Sequence, residues 1–204
     1  MAANPTSAGG GLRVGVLLAA GASSRMGRPK ALLHDERGVT FVSRLTGTLL
    51  AGGCDVLIVV AGKHVGEIAA KLPDKALLTF NPDWEQGQLS SAKVGLRAAL
   101  RLEPARIVLH LVDQPLILRT DVRRVLDAGG DVAVAGWNGE PGHPIALSPK
   151  AAKAIADDRA SLTLRDALAR HFRVTRQVEG SPGCVRGANT PGELEQLLTA
   201  GRKR

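Results

Sequence analysis

The sequence predicts an α/β fold built on a mainly parallel sheet, and three observations predict it. From Arg13 onward, short apolar runs rich in Val, Ile and Leu alternate with longer stretches of helical periodicity. Several of those runs are apolar on both faces, as strands covered by helices on two sides must be. No internal repeat and no linker divides the 204 residues, a length that suits one domain with a sizeable core.

Taken in order, the apolar runs place strands at Val14–Ala20, Val56–Ala61, Leu77–Phe80, Ile107–Val112 and Val132–Ala135. Helices are expected between them at about Thr40–Ala51, Val65–Lys71, Leu89–Leu102 and Arg119–Ala128. The clearest is Leu89–Leu102, where Leu89, Ala92, Leu96, Ala99 and Leu100 recur at three- and four-residue spacing, with Ser90 or Ser91 able to start it. After Ala135 the segment Gly136-Trp137-Asn138-Gly139-Glu140-Pro141-Gly142 is rich in turn formers and reads as a hairpin tip. Two further helices are expected at Lys150–Ala156 and Leu162–Arg170, and a last one after Thr190-Pro191, with Thr as cap and Pro in the first turn. The domain then spans residues 12–200, between a small, Gly-rich leader at 1–11 expected to be disordered and a basic tail at 201–204.

Composition removes several classes of function. Hydrophobic residues make up 44% and charged residues 23%, so a wholly disordered chain is excluded. No apolar run approaches the ~18–20 residues of a membrane span, and the first residues lack a charged and apolar secretory signature. Cys54 and Cys184 form neither a disulfide framework nor a CxxC metal site, and the expected location is the cytoplasm. The formal charge of +8 favours anionic ligands such as nucleotides and phosphorylated metabolites. An aromatic content of 2%, without Tyr, argues against nucleic acid as the partner, because single strands need stacking faces.

The most informative stretch is Leu17-Leu18-Ala19-Ala20-Gly21-Ala22-Ser23-Ser24-Arg25-Met26-Gly27-Arg28-Pro29-Lys30, which follows the first strand at the sheet edge where open α/β folds bind ligands. Gly21 and Gly27 permit positive φ and close backbone approach, while Ser23, Ser24 and the loop amides can wrap phosphate oxygens. Arg25 and Lys30 add two cations. The loop is neither GxxxxGK(S/T) nor GxGxxG. Asp113, in His110-Leu111-Val112-Asp113-Gln114-Pro115, ends another apolar strand and offers a hard oxygen suited to Mg²⁺.

The loop resembles the LAxGxSxRMGxxK signature of the nucleotidyltransferases that activate the molybdenum cofactor, and more broadly sugar-phosphate and methylerythritol-phosphate nucleotidyltransferases. The resemblance implies a Rossmann-like, three-layer α/β/α fold of the nucleotide-diphospho-sugar transferase type, with a mainly parallel, mixed sheet. It also implies transfer of a nucleoside monophosphate from an NTP with release of pyrophosphate. Leu18-Ala19-Ala20-Gly21 and Pro29-Lys30 look like the cytidylyltransferase branch, which favours CTP. The resemblance continues through Asn81-Pro82-Asp83-Trp84-Glu85-Gln86-Gly87, Ser90, Ser91 and Gly95-Leu96, similar to the family's N-x-x-W-x-x-G-x-x-x-S-x-x-x-G-L segment. On that basis Asn81, Gly87 and Ser91 join Leu18, Ala19, Ala20, Gly21, Ser23, Ser24, Gly27 and Lys30 as nucleotide-binding residues. Asp113 matches the metal-binding Asp of D-x-P, and Gly142-His143-Pro144 resembles the GHP motif beside the acceptor. Asn189, within Gly187-Ala188-Asn189-Thr190-Pro191, falls on a second metal position.

Three departures concern the acceptor and the metal. Pro141 stands where the family often has Arg, and Gly187 where it usually has Asp or Asn. Asp158-Arg159-Ala160-Ser161-Leu162 only partly matches a GDxGAR-like stretch. The expected reaction is transfer of CMP from CTP to the phosphate of molybdopterin, with magnesium as cofactor and Lys30, Arg25 and Asp113 as the catalytic set. Such an acceptor phosphate is mostly dianionic at pH 7, so positioning and cations matter more than a general base. An apo-molybdoenzyme is the protein partner this implies. The alternatives are a transferase of the same fold using GTP or a sugar or alditol phosphate, and a non-catalytic chaperone for the molybdenum cofactor.

Overall fold

Side-chain alternation along the first strand organises the molecule. The structure, a computed structural model, describes residues 10–21, 27–173, 175–188, 190, 192, 193, 195 and 196. In β1 (Arg13–Ala19) and just beyond it, Val14, Val16, Leu18 and Ala20 face one apolar cluster, and Leu17 and Ala19 face another. The first cluster takes in Leu89, Leu96, Ile155 and Leu164, from α3 (Gln88–Leu100), α5 (Pro149–Asp157) and α6 (Leu164–His171). The second takes in Phe41, Ile68 and Val122, from α1 (Phe41–Ala51), α2 (Val65–Ala69) and α4 (Arg119–Asp127). The result is the expected three-layer α/β/α arrangement, a single α/β domain.

The remaining strands are β2 (Val56–Ala61), β3 (Ala76–Phe80), β4 (Arg106–Leu111), β5 (Val132–Trp137), β6 (Glu140–Leu147) and β7 (Arg176–Glu179). Their order in the seven-stranded sheet is β3-β2-β1-β4-β6-β5-β7. β1 pairs in parallel with both β2 and β4, and β5 pairs in parallel with β7, whereas β6 runs antiparallel between β4 and β5. The order in which strands are added therefore turns back between β1 and β4, the place where open α/β folds form a ligand crevice at the carboxyl ends. Gly95 lets α3 lie close over β1 and β2, because a Cβ there would come 2.5 Å from Val16 and 2.7 Å from Val60.

Element boundaries move by one or two residues, and three differences have physical causes. β6 is a full strand where the sequence suggests only a hairpin tip, since Pro141, Gly142 and Pro144 hide its strand character. Its pairing with β5 shifts register between Val134 and Gly136. β7 is a short, polar edge strand without the apolar run that marks the others. α6 begins at Leu164, two residues after the expected start, because Thr163 caps it: its Oγ1 accepts the Asp166 N–H, and the Asp166 carboxylate accepts the Thr163 N–H. At the C-terminal end, Thr190 accepts the Glu193 N–H, in keeping with a capped start there. The leader through residue 9 and the tail at 201–204 lie outside the described residues. Among the described residues no helix is long and apolar enough to cross a membrane.

Candidate active site

At the carboxyl end of β1 the chain passes through buried Ala20 to exposed Gly21. Ser23, Ser24 and Arg25 lie outside the described residues. Leu18 and Ala19 are buried in opposite core layers, so what they offer a nucleotide is backbone. The path resumes at Gly27, whose φ of +66° is left-handed and favours glycine. Pro29 then leads into a single 3-10 turn, Lys30–Leu32. This turn brings the Lys30 ammonium 3.2 Å from Oδ2 of Asp113.

Asp113 lies just beyond β4, where the β1–β4 ladder extends one step through the Val112 N–H and the Leu18 carbonyl. Its other oxygen, Oδ1, is buried and has no hydrogen-bond partner among the described residues. The Ala188 N–H donates to the Asp113 carbonyl at 3.0 Å, which draws the C-terminal segment against the same spot. Asn189, the next residue, lies outside the described residues. Gly187 is close as well: a Cβ there would sit 3.2 Å from the Asp113 carbonyl oxygen.

The second loop forms an inward-facing brace. Asn81 is 1% exposed; its amide donates to Ser90 and Ser91, and its carbonyl oxygen accepts the Asp83 N–H. Both Asn81 and Ser91 are buried, and through these bonds they shape the loop from inside. Gly87, with φ +98°, turns the chain into α3. Gly62, which the sequence reading passed over, belongs here too. A Cβ at that position would lie 2.6 Å from the Ala20 carbonyl and 2.7 Å from Trp84, so the glycine lets the first two loops meet.

Gly142 and His143 lie on β6, at the wall of a pocket of about 610 Å³. Leu164, Leu168 and Phe172 line its apolar side, and Arg165, Gln88 and Gln114 its polar side. The glycine itself is explained by packing, since a Cβ would lie 2.0 Å from the Cys184 carbonyl oxygen. Burial pushes the His143 imidazole down to about 3 and that of His110 to about 4. Both rings are therefore neutral at pH 7, and His143 is a hydrogen-bonding group there, not a cation for a phosphate. Asp158 is also occupied structurally, accepting the Ser161 and Ala160 N–H groups and the His171 ring. Leu162 is 86% exposed.

The donor set at Asp113 fits a hard divalent cation: one carboxylate oxygen is orphaned and the other is held by an ammonium. Among the described residues no group of three or more His, Cys, Asp or Glu can hold a metal. A cation held at Asp113 would take its further ligands from other groups, such as water and substrate phosphates, as Mg²⁺ commonly does.

Fold and site together define a class, the α/β nucleotidyltransferases. A family model described as the MobA-like NTP transferase domain matches residues 15–175, and the chain belongs to that family. Over 153 residues, 70% of this chain and 74% of the relative, it is 36% identical to nicotine blue oxidoreductase of Paenarthrobacter nicotinovorans. Over 136 residues, 65% and 68% of the two chains, it is 31% identical to molybdenum cofactor cytidylyltransferase of Escherichia coli K12. Among solved structures, a nucleotidyl transferase from Methanothermobacter thermautotroptrophicus is 23% identical, with a TM-score of 0.79 over 95% of this chain and 99% of that one, a likeness of fold.

Proposed function

We propose that the chain transfers CMP from CTP to the terminal phosphate of a molybdopterin-type acceptor. A phosphate oxygen of the acceptor attacks the α-phosphorus, the α–β anhydride bond breaks, and its electron pair leaves with pyrophosphate. The observation that carries this reading is the Lys30–Asp113 pair, 3.2 Å apart where the β1 and β4 loops meet. In this reading Lys30 neutralises charge on the α-phosphate, the backbone of the Gly21–Gly27 stretch cradles the triphosphate, and Arg25 restrains its β and γ groups. Asp113 and Asn189 are the residues to hold a divalent cation, Mg²⁺ in this proposal, which when bound supplies charge neutralisation for the departing pyrophosphate.

The acceptor is assigned to the pocket beside Gly142 and His143, whose apolar wall suits a ring system and whose Arg165 suits its anionic end. CTP is favoured by Leu18-Ala19-Ala20-Gly21 with Pro29-Lys30, and by the similarity to the cytidylyltransferase relative. The experiment is pyrophosphate release with Mg²⁺ and each of CTP, GTP, ATP and UTP, with and without molybdopterin. Release with CTP and molybdopterin alone supports the proposal. Release with GTP instead moves the base assignment, and release only with a sugar or alditol phosphate moves the acceptor. Inactivity with every nucleotide, together with turnover of a redox substrate, would align the chain with its oxidoreductase relative.

A further inference from the structure

Lys30 and Asp113 belong to different loops, and their contact alone is too weak to keep those loops in register. Their side chains are 15% and 30% exposed, and partly solvated pairs of this kind contribute about 0–1 kcal/mol. A second link, anchored on a buried carboxylate, joins the same two loops. Arg44, in the first turn of α1, donates from Nε to the Pro115 carbonyl at 2.8 Å. From Nη1 it donates to Oδ2 of Asp35 at 2.9 Å. Pro115 is two residues beyond Asp113. Asp35 follows the Lys30–Leu32 turn and nucleates the chain between that turn and α1: its Oδ1 accepts the Arg37 and Val39 N–H groups. The Phe41 N–H donating to the Leu33 carbonyl closes the same segment.

We infer that Arg44 is a positioning residue for the transfer reaction, a clamp that sets the Lys30–Asp113 geometry by joining their loops through one planar group. The inference rests on the proposed reading of Lys30 and Asp113 as reacting-centre residues. A guanidinium suits the task because its donors lie in a fixed plane, so satisfying Asp35 and Pro115 together fixes both the separation and the relative tilt of the loops. The Asp35 side chain is 2% exposed. Burial favours its neutral form, but the hydrogen bonds from Val39, Arg44 and Arg37 outweigh that and hold the carboxyl below its ordinary value. The far side of the Asp113 loop is already braced, with the His110 ring 3.0 Å from the Gln114 carbonyl. Arg44 thus ties the Lys30 segment to a loop that the His110 ring also holds.

The test uses Arg44→Lys and the pair Asp35→Asn with Arg44→Met, which avoids leaving a lone buried carboxylate. The lysine variant keeps the charge opposite Asp35 but cannot hold both partners in a plane. Turnover and the labelling rate of Lys30 by an amine reagent, read by mass spectrometry, are both measured well below each variant's melting temperature. The expected result is a kcat lower by about 10–100-fold, with KM for the nucleotide changed less than about threefold, and Lys30 labelled several-fold faster. Full kcat with unchanged Lys30 labelling in both folded variants would overturn the inference. If the wild-type protein turned over no nucleotide, the proposed function would fail, while the labelling rate would still decide whether Arg44 sets the position of Lys30.

Discussion

Lys30 and Asp113 lie 83 positions apart, and each is recognisable in the sequence by its own surroundings. One sits in a glycine- and serine-rich loop after a strand, and the other ends an apolar strand. What the sequence does not carry is their contact, which depends on β1 and β4 being neighbours and on a 3-10 turn that no local pattern announces. Arg44 is less visible still, since both of its partners are set by tertiary structure. If the pair serves the reaction, Lys30→Ala should reduce turnover by about 10²–10³-fold while costing about 0–1 kcal/mol of stability. Turnover assays beside a thermal melt check this, and a folded variant with normal turnover would remove Lys30 from the reaction. The two buried histidines give a separate signature. Their ordinary value is 6.5, and in the folded protein they titrate near 4 and 3, so below pH 6.5 the unfolded chain binds more protons than the folded one. Stability should therefore be at its full value above pH 6.5 and decline as pH falls toward those values, by up to about 1.4 kcal/mol per pH unit for each ring. Urea titrations between pH 7 and 4.5 would show the slope, whereas a flat profile would mean that the folded protein protonates these rings easily.

At the level of elements, the strands with apolar runs, β5 included, are legible in the sequence, whereas β6 and β7 are not. β7 gains its place from pairing with β5 and from the loop that follows it, neither of which leaves an apolar stripe. That loop is tied down by Asp121 of α4, whose side chain is fully buried and accepts the Leu118 N–H, the Ser181 N–H and the Ser181 hydroxyl. A sequence reading sees only an acidic residue in the first turn of a helix. The structure joins it to the Pro182–Cys184 turn, which packs on Gly142, and onward to Ala188 at the Asp113 carbonyl. Asp121→Ala would strand buried donors and should cost about 2–4 kcal/mol in urea unfolding. Turnover measured well below the melting point should fall as well, because the segment that holds Ala188 at the Asp113 carbonyl loses its anchor. A large stability loss with unchanged turnover would show that this anchor and the site are independent. Gly187 follows the same logic. A side chain in place of Gly187 would crowd the Asp113 backbone from the same segment.

Across the whole molecule, the site exists because the direction of winding changes between β1 and β4, so that loops from both sides of the sheet converge on one crevice. The alternation of runs along the sequence makes an α/β sheet legible but not its strand order, and the resemblance adds the three layers without the order. Charge is the property that most clearly belongs to the molecule as a whole. With 27 Lys and Arg against 19 Asp and Glu, the formal charge is +8, and a triphosphate approaches such a chain down a favourable potential. That field acts over about 10 Å at 0.1 M salt and shrinks as ionic strength rises. Raising salt from about 50 to 300 mM should therefore lower kcat/KM for the nucleotide several-fold through KM, with kcat changed less than about twofold, since groups already in contact are screened little. Three of the cations stand together as Arg202-Lys203-Arg204, and removing them distinguishes two sources of the field. A salt dependence that survives the truncation comes from the domain that carries Lys30. One that vanishes with the tail assigns the attraction to the chain end and leaves the crevice to act only at contact.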